Sequence, residues 1–235
     1  MGKKSASEDR KARLEEVRKA QQSQERRRTL LVAGVAGAIV VALVVAVTVV
    51  IRNQLADRDI TRIGVAAGAA GCDPIITDPV KGASVHVGPG TDQPDKTTVK
   101  YDTVPPSSGE HFATPESPSQ AFYTESNRPP LEKLVHNLEH GYSVVWYDPK
   151  LPQAQIDQLK KLAPLARDEK YAGAKFIVSA WDTSRGALPS GKQIALSHWG
   201  AKQGHRQLCG QVSGDVIAQF VKKFPYTDSP EPNAA

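Results

Sequence analysis

The feature that most restricts how this chain can fold is an uninterrupted apolar segment near its N-terminus, residues 29 to 51. The segment holds no charged residue and no proline. As a helix it would be about 34 Å long at 1.5 Å per residue, which is enough to cross a ~30 Å hydrocarbon core. A cleaved signal peptide usually has a shorter apolar region behind a short N-terminal region. We therefore predict an uncleaved signal anchor, a single transmembrane helix over residues 29–51.

The charges beside this segment predict its orientation. Residues 1–28 hold ten basic and five acidic side chains, so the formal net charge of +5 for the whole chain lies in this tail. Basic residues are retained on the cytoplasmic side of a membrane. We expect residues 1–28 to form a cytoplasmic basic tail, largely helical, and the rest of the chain to lie outside the cytoplasm. The membrane is then the first expected partner, and the balanced charge after residue 28 predicts no nucleic-acid surface.

Two cysteines, Cys72 and Cys209, both follow the apolar segment. An even number of cysteines in a non-cytosolic location favours a disulfide over two unpaired thiols, which is the alternative. Closing so long a loop stabilises a fold by roughly 4–5 kcal/mol in the loop-entropy description.

The remaining residues predict a linker, one domain and a short tail. We expect the linker over 52–71, the extracytoplasmic domain over 72–228 and the C-terminal tail over 229–235. Apolar spacing and turn residues predict helices over 130–140, over 153–162 with Pro164 ending the second, and from Ser213 onward. Short strands are predicted over 84–87, 97–101, 142–147, 175–181 and 193–199. Because strands and helices alternate irregularly, the fold class is α+β, a small mostly antiparallel sheet with flanking helices, preceded by the single transmembrane helix.

All six histidines follow the apolar segment, and three of them form a candidate metal site. His136 and His140 are four residues apart on a predicted helix and share one face, while His111 follows a stiff proline-rich loop. Three imidazoles suit zinc or copper(II). Glu139 and Glu110 are candidates to orient those imidazoles. In the alternative, the histidines are structural: His140 at the end of its helix, His86 and His198 in strands, and His205 exposed.

Residues 136–140 also match the H-x-x-E-H pattern of inverted zinc peptidases. Those enzymes need a further acidic ligand from a helix well downstream, and here the only glutamates that follow Glu139 are Glu169 and Glu231. Peptidase activity is therefore not expected. Whether the chain is an enzyme, and which residues would be catalytic, stays open.

Three motifs together resemble a known family: Pro105–His111 (PPSSGEH), Leu134–Gly141 (LVHNLEHG) and Val144–Tyr147 (VVWY). They resemble the bacterial membrane-protein family catalogued as domain of unknown function family 3105, over roughly residues 72 to 232. The resemblance implies a membrane-tethered extracytoplasmic domain and implies no activity, substrate or cofactor. It places His111, His136, Glu139 and His140 inside the family's own motifs.

Two functional hypotheses follow. The first is a single-pass membrane protein whose extracytoplasmic domain binds a divalent metal through histidines. The second is a non-enzymatic protein that interacts with a protein partner in the cell envelope or a membrane complex, with structural histidines.

Overall fold

The computed structural model describes residues 3 to 234, which divide into two compact units at Asp57. The first unit is one helix, α1 (Lys3–Asp57). It is long and apolar enough to cross a membrane, and its apolar residues are exposed on the helix surface. The helical structure predicted for the basic tail and for residues 29–51 is confirmed over residues 3 to 57. That this helix crosses a membrane stays a prediction.

The second unit is built on a six-stranded sheet. In spatial order its strands are β1 (Ile76–Pro79), β8 (Gln203–Cys209), β7 (Ile194–Trp199), β5 (Ser143–Tyr147), β6 (Phe176–Ala180) and β4 (Phe122–Tyr123). The pairs β1–β8, β8–β7 and β7–β5 are antiparallel, whereas β5–β6 and β6–β4 are parallel. Two further strands, β2 (His86–Val87) and β3 (His111–Phe112), pair in parallel away from this sheet.

Helices cover both faces of the large sheet. They are α2 (Leu131–Glu139), α3 (Gln153–Leu165) and α4 (Gly214–Lys223), with short 3₁₀ turns at Ile60–Arg62, Ala67–Ala69 and Thr183–Arg185. Val145 of β5 packs in one buried cluster with residues of α3 and α4. Its neighbour Val144 packs in a second cluster with Leu134 and Leu138 of α2. Because both faces are buried, the central strands are largely apolar, and they are buried along their whole length. The predicted α+β class is confirmed.

Cys72 and Cys209 form a disulfide across a sequence separation of 137 residues. The bond joins the segment that precedes β1 to the end of β8. The predicted pairing is therefore present in the fold, and both sulfur atoms are accounted for.

The predicted linker, residues 52–71, differs from the structure in its second half. The compact unit begins at Arg58, and Ile60 and Ala70 are fully buried in its core. The amide of Val65 donates to the carbonyl of Val212, and that of Gly210 to the carbonyl of Ala70. Residues 58–71 have no regular spacing of apolar side chains, and their Gly and Ala content is typical of a spacer, so the sequence alone did not indicate that they are packed.

The predicted tail, residues 229–235, also differs from the structure over its described part. Ser229 is buried, and the ammonium of Lys175 donates to the carbonyls of Pro232 and Ala234 at 3.0 and 2.7 Å. Residues 229–234 are thus held against the domain.

Two local predictions are wrong for identifiable reasons. Residues 97–101 form no strand, because the amide of Val99 donates to the carboxylate of Glu132 and its carbonyl accepts from Arg185. Side chains of Glu132 and Arg185 thus make the backbone hydrogen bonds that a neighbouring strand would otherwise make. Pro164 does not end α3 either, since the helix continues to Leu165 and a proline so near the C-terminus costs only one backbone hydrogen bond.

Candidate metal centre

The candidate site forms where the two-stranded sheet meets α2. His86 and His111 are register partners in the parallel pair β2–β3, which sets their two rings side by side. Helix α2 packs against β3 and brings His136 and Glu139, three residues apart on one helix face, to the same place. We call His86, His111, His136 and Glu139 the inner cluster.

The inner cluster is compact and largely buried. One ligand atom from each of its four residues lies within 4.8 Å of each of the others. The rings of His111 and His136 have centroids 4.7 Å apart, and His86 stacks on His136 at 5.1 Å. His111 and Glu139 have no exposed surface, His136 is 4% exposed, and His86 is half-buried at the edge. Burying three imidazoles beside a carboxylate is costly unless something compensates them.

Backbone carbonyls select one ring nitrogen in two of these histidines. The Nδ1–H of His111 donates to the carbonyl of Gly109 at 2.8 Å, and that of His136 donates to the carbonyl of Phe112 at 2.5 Å. With Nδ1 protonated, a neutral imidazole presents a lone pair at Nε2. This is the arrangement that orients metal-ligating histidines in proteins, because the second nitrogen fixes both tautomer and ring position.

Glu139 is oriented in a comparable way. Its Oε1 accepts a 2.6 Å hydrogen bond from the amide of Ser84, which leaves Oε2 facing His111 Nε2 at 3.0 Å. Ser84 has a φ of 56°, the left-handed region that non-glycine residues seldom adopt. An uncommon backbone conformation thus directs an amide at this carboxylate.

Three buried polar atoms of the inner cluster have no hydrogen-bond partner in the part of the chain that the structure describes. They are His86 Nε2, His111 Nε2 and Glu139 Oε2. The last two are close together, but their geometry does not make a hydrogen bond. Buried polar atoms nearly always find a partner. A single cation coordinated in the cluster would satisfy all three of these atoms.

The electrostatics of the cluster favour the protonation states that bind a metal ion, a neutral imidazole and an ionised carboxylate. Burial, assisted by the neighbouring histidines, lowers the pKa of His136 to about 4. Burial by itself would raise the pKa of Glu139, but His111 and the Ser84 amide lower it by more, so the net shift is below its usual range. Near neutral pH, His136 is therefore neutral and Glu139 is ionised, which are the forms that bind a metal.

The structure groups the predicted site residues differently from the sequence. His111 and His136 lie in the inner cluster as expected, and Glu139, expected only to orient an imidazole, points its own oxygen into it. His140 lies just outside, with its Nε2 2.9 Å from His136 Nε2. The carboxylate of Glu110 pairs with the ammonium of Lys96 instead of with an imidazole.

Sequence reasoning missed His86 as a member of the cluster. His86 was expected to be a strand residue at the core or rim, and it does lie in a strand, β2. This strand is only two residues long, so its sequence gives no indication that His86 contributes to a site. Its pairing with His111 depends on the long loop between β2 and β3, which no local pattern predicts. His205 was predicted to be exposed; instead it is half-buried and stacks on Phe224 at 3.9 Å.

The zinc-peptidase pattern does not have the geometry that its chemistry requires. In such a site the glutamate of H-x-x-E-H acts as the base on a water molecule. Here Glu139 is fully buried, accepts from Ser84 and faces His111, so it is not placed to act on a substrate.

A family model described as "Protein of unknown function (DUF3105)" matches residues 92–235, more than half of the chain. The chain belongs to this family. The match includes His111, His136, Glu139 and His140, while His86 lies before its first residue. No curated protein and no solved structure matches the chain.

Proposed function

We propose that this member of the DUF3105 family is a single-pass membrane protein whose extracytoplasmic domain binds one divalent metal ion at the inner cluster. The observation that carries the proposal is the pair His111 Nε2 and Glu139 Oε2. They are fully buried, 3.0 Å apart, and not hydrogen-bonded to each other or to another described residue.

The donor set favours zinc or copper(II). Three imidazoles and one carboxylate match the ligands of zinc sites, and imidazole also suits copper(II). The single methionine is Met1 and both cysteines form the disulfide, so soft sulfur ligands for copper(I) are not offered. Tetrahedral coordination at about 2.0–2.1 Å places ligand atoms about 3.3 Å apart. The ligand atoms of the cluster lie up to 4.8 Å apart, so the most distant pairs must approach each other by roughly 1.5 Å when the ion binds.

The location rests on α1 and the disulfide. The helix has the length and apolar surface of a membrane span, and the basic residues before the apolar segment favour a cytoplasmic N-terminus. A disulfide persists in an oxidising compartment, which supports a domain outside the cytoplasm.

The competing hypothesis is an envelope interaction protein with purely structural histidines. The hydrogen bonds of His111 and His136 to backbone carbonyls fit both hypotheses. The three atoms without a hydrogen bond favour the metal, because they come from three residues whose ligand atoms converge within 4.8 Å of one another, as a shared ion requires.

The test is the metal content of the full-length protein in detergent. After chelator treatment and equilibrium dialysis against zinc, we expect about one ion per chain. His86→Ala should lower bound zinc strongly, since it removes one of the four ligands. Because His86 lies at the half-buried edge of the cluster, its removal should have little effect on folding. His205→Ala is the matched control, a half-buried histidine outside the cluster that should retain full binding.

Thermal unfolding of each variant reports whether it is folded. A wild-type protein with far less than one ion per chain, or equal zinc content in wild type and His86→Ala, would refute the proposal.

A further inference from the structure

A second set of ligand atoms lies directly beside the inner cluster. His140 Nε2 donates a hydrogen bond to His136 Nε2 at 2.9 Å on one side and lies 3.4 Å from Glu231 Oε2 on the other. The side chain of Glu231 is 41% exposed, whereas that of His140 is 9% exposed. His136, His140 and Glu231 therefore form a graded series from the buried cluster to solvent.

The C-terminal segment is fixed where Glu231 needs to be. The amide of Glu231 donates to the carbonyl of Glu139 at 3.1 Å. Gly141 ends α2 with a φ of 90°, and a side chain there would lie 2.4 Å from the carbonyl oxygen of Tyr226. Lys175 donates to the carbonyls of His140 and of two residues beyond Glu231. The end of α2 and the C-terminal segment thus approach each other closely.

From this geometry we propose an outer position for the same divalent ion, held by His136, His140 and Glu231, through which the ion enters and leaves the inner cluster. The inference rests on the proposed function, because it needs the inner cluster to bind metal. His136 belongs to both positions. Its Nδ1–H donates to the carbonyl of Phe112, so only its Nε2 is available to a metal ion. One nitrogen can bind an ion in only one position at a time, so a single ion passes between the two positions.

The separations support this assignment. Ligand atoms on a tetrahedral ion lie about 3.3 Å apart. The two observed spacings at His140, 2.9 and 3.4 Å, lie on either side of that value. The inner donors His111 and Glu139 have no exposed surface, so an ion that approaches from the side of Glu231 meets Glu231 and His140 before it reaches them. A carboxylate at the surface also attracts a cation before any imidazole binds it.

The experiment measures exchange rates apart from affinity, with Co²⁺ as the probe in the full-length protein in detergent. Cobalt bound to histidine and carboxylate gives visible absorbance, so uptake is followed by stopped flow and release by addition of excess chelator. For Glu231→Gln we expect uptake and release each to slow by about tenfold, because the surface charge that attracts the ion is lost. The equilibrium affinity should stay within about twofold, because the inner donors are untouched.

Glu169→Gln is the matched control, since Glu169 is an exposed glutamate of the same domain that belongs to neither the inner cluster nor the outer position. It should exchange Co²⁺ at the wild-type rate. Unchanged rates in Glu231→Gln would refute the outer position, and so would a large loss of equilibrium affinity, which would make Glu231 a ligand of the final site. A wild-type protein that binds no Co²⁺ refutes the proposed function itself, which separates the two failures.

Discussion

His111 and His198 both have no exposed surface, yet their ring nitrogens have different surroundings. His198 Nε2–H donates to the carbonyl of Asp228 at 3.0 Å, and its Nδ1 lies 3.4 Å from the hydroxyl of Ser143. His111 has one nitrogen engaged by Gly109 while the other faces Glu139 without a hydrogen bond. Burial alone therefore does not identify a metal ligand. The distinguishing feature is a buried lone pair that its surroundings leave unused beside a carboxylate.

The largest expected effect concerns that carboxylate. Glu139→Gln keeps the size of the side chain and removes its charge, so the affinity for zinc should fall by about 100-fold in a chelator competition assay. Glu132→Gln is the matched control: Glu132 is equally buried on the same helix but pairs with Arg185. It should lower stability and leave zinc affinity unchanged. Equal zinc affinity in both variants would remove the distinction between the two histidine regions.

His198→Ala should act on stability alone. It removes a fully buried ring and leaves the carbonyl of Asp228 without its donor, which should cost about 3 kcal/mol in the free energy of unfolding measured with denaturant. Zinc affinity of the folded variant should equal that of the wild type. A loss of affinity comparable to that of Glu139→Gln would place His198 in the metal site after all.

The two regions should share one response to acid when metal is absent. Burial lowers the pKa of both His136 and His198 to about 4, below the ordinary value of 6.5. Between these pH values the unfolded chain binds protons that the folded chain does not, so stability must decrease as the pH falls. From pH 6.5 to 5.5 each histidine should contribute a loss of about 1 kcal/mol.

Chelator-treated protein, unfolded with denaturant at a series of pH values, reports this loss. His198→Asn should have a shallower pH dependence than the wild type over the same range. Parallel curves for the two proteins would mean that His198 is not held neutral by burial.

The smallest expected effect concerns the turn that directs an amide at Glu139. Ser84→Gly keeps the amide and removes the side chain from a left-handed conformation, which should stabilise the protein by about 0.5 kcal/mol in thermal unfolding. Ala83→Gly is the control, because Ala83 does not have a positive φ and should lose stability instead. If both variants are destabilised alike, the conformation of Ser84 carries no strain.

The elements that local patterns determine were predictable, and those that depend on distant partners were not. The apolar stripe of α2 predicted a helix over 130–140, close to the observed Leu131–Glu139. Strand β8 was missed because its inward-facing residues include Gly204 and Arg206, and Arg206 is tolerated inside only because Asp78 accepts its hydrogen bonds. Period-two apolar reasoning cannot detect a strand that buries an ion pair.

The same limit applies to the site. Helical spacing brought His136, Glu139 and His140 together from sequence alone, because residues three and four apart share a face. His86 and Glu231 come from segments far from α2 along the chain, and only the tertiary fold brings them to it. Neither belongs to a local pattern that specifies a partner.

The disulfide has a consequence for proteolysis. His86, His111, His136 and Glu139 all lie between Cys72 and Cys209 along the chain. A single cut anywhere in that interval leaves two fragments that remain covalently joined, with both still attached to α1. When that single cut falls before α2, release of the fragment that carries α2 requires reduction of the disulfide as well. A molecule cut once therefore keeps all the donors of the inner cluster on one covalent assembly.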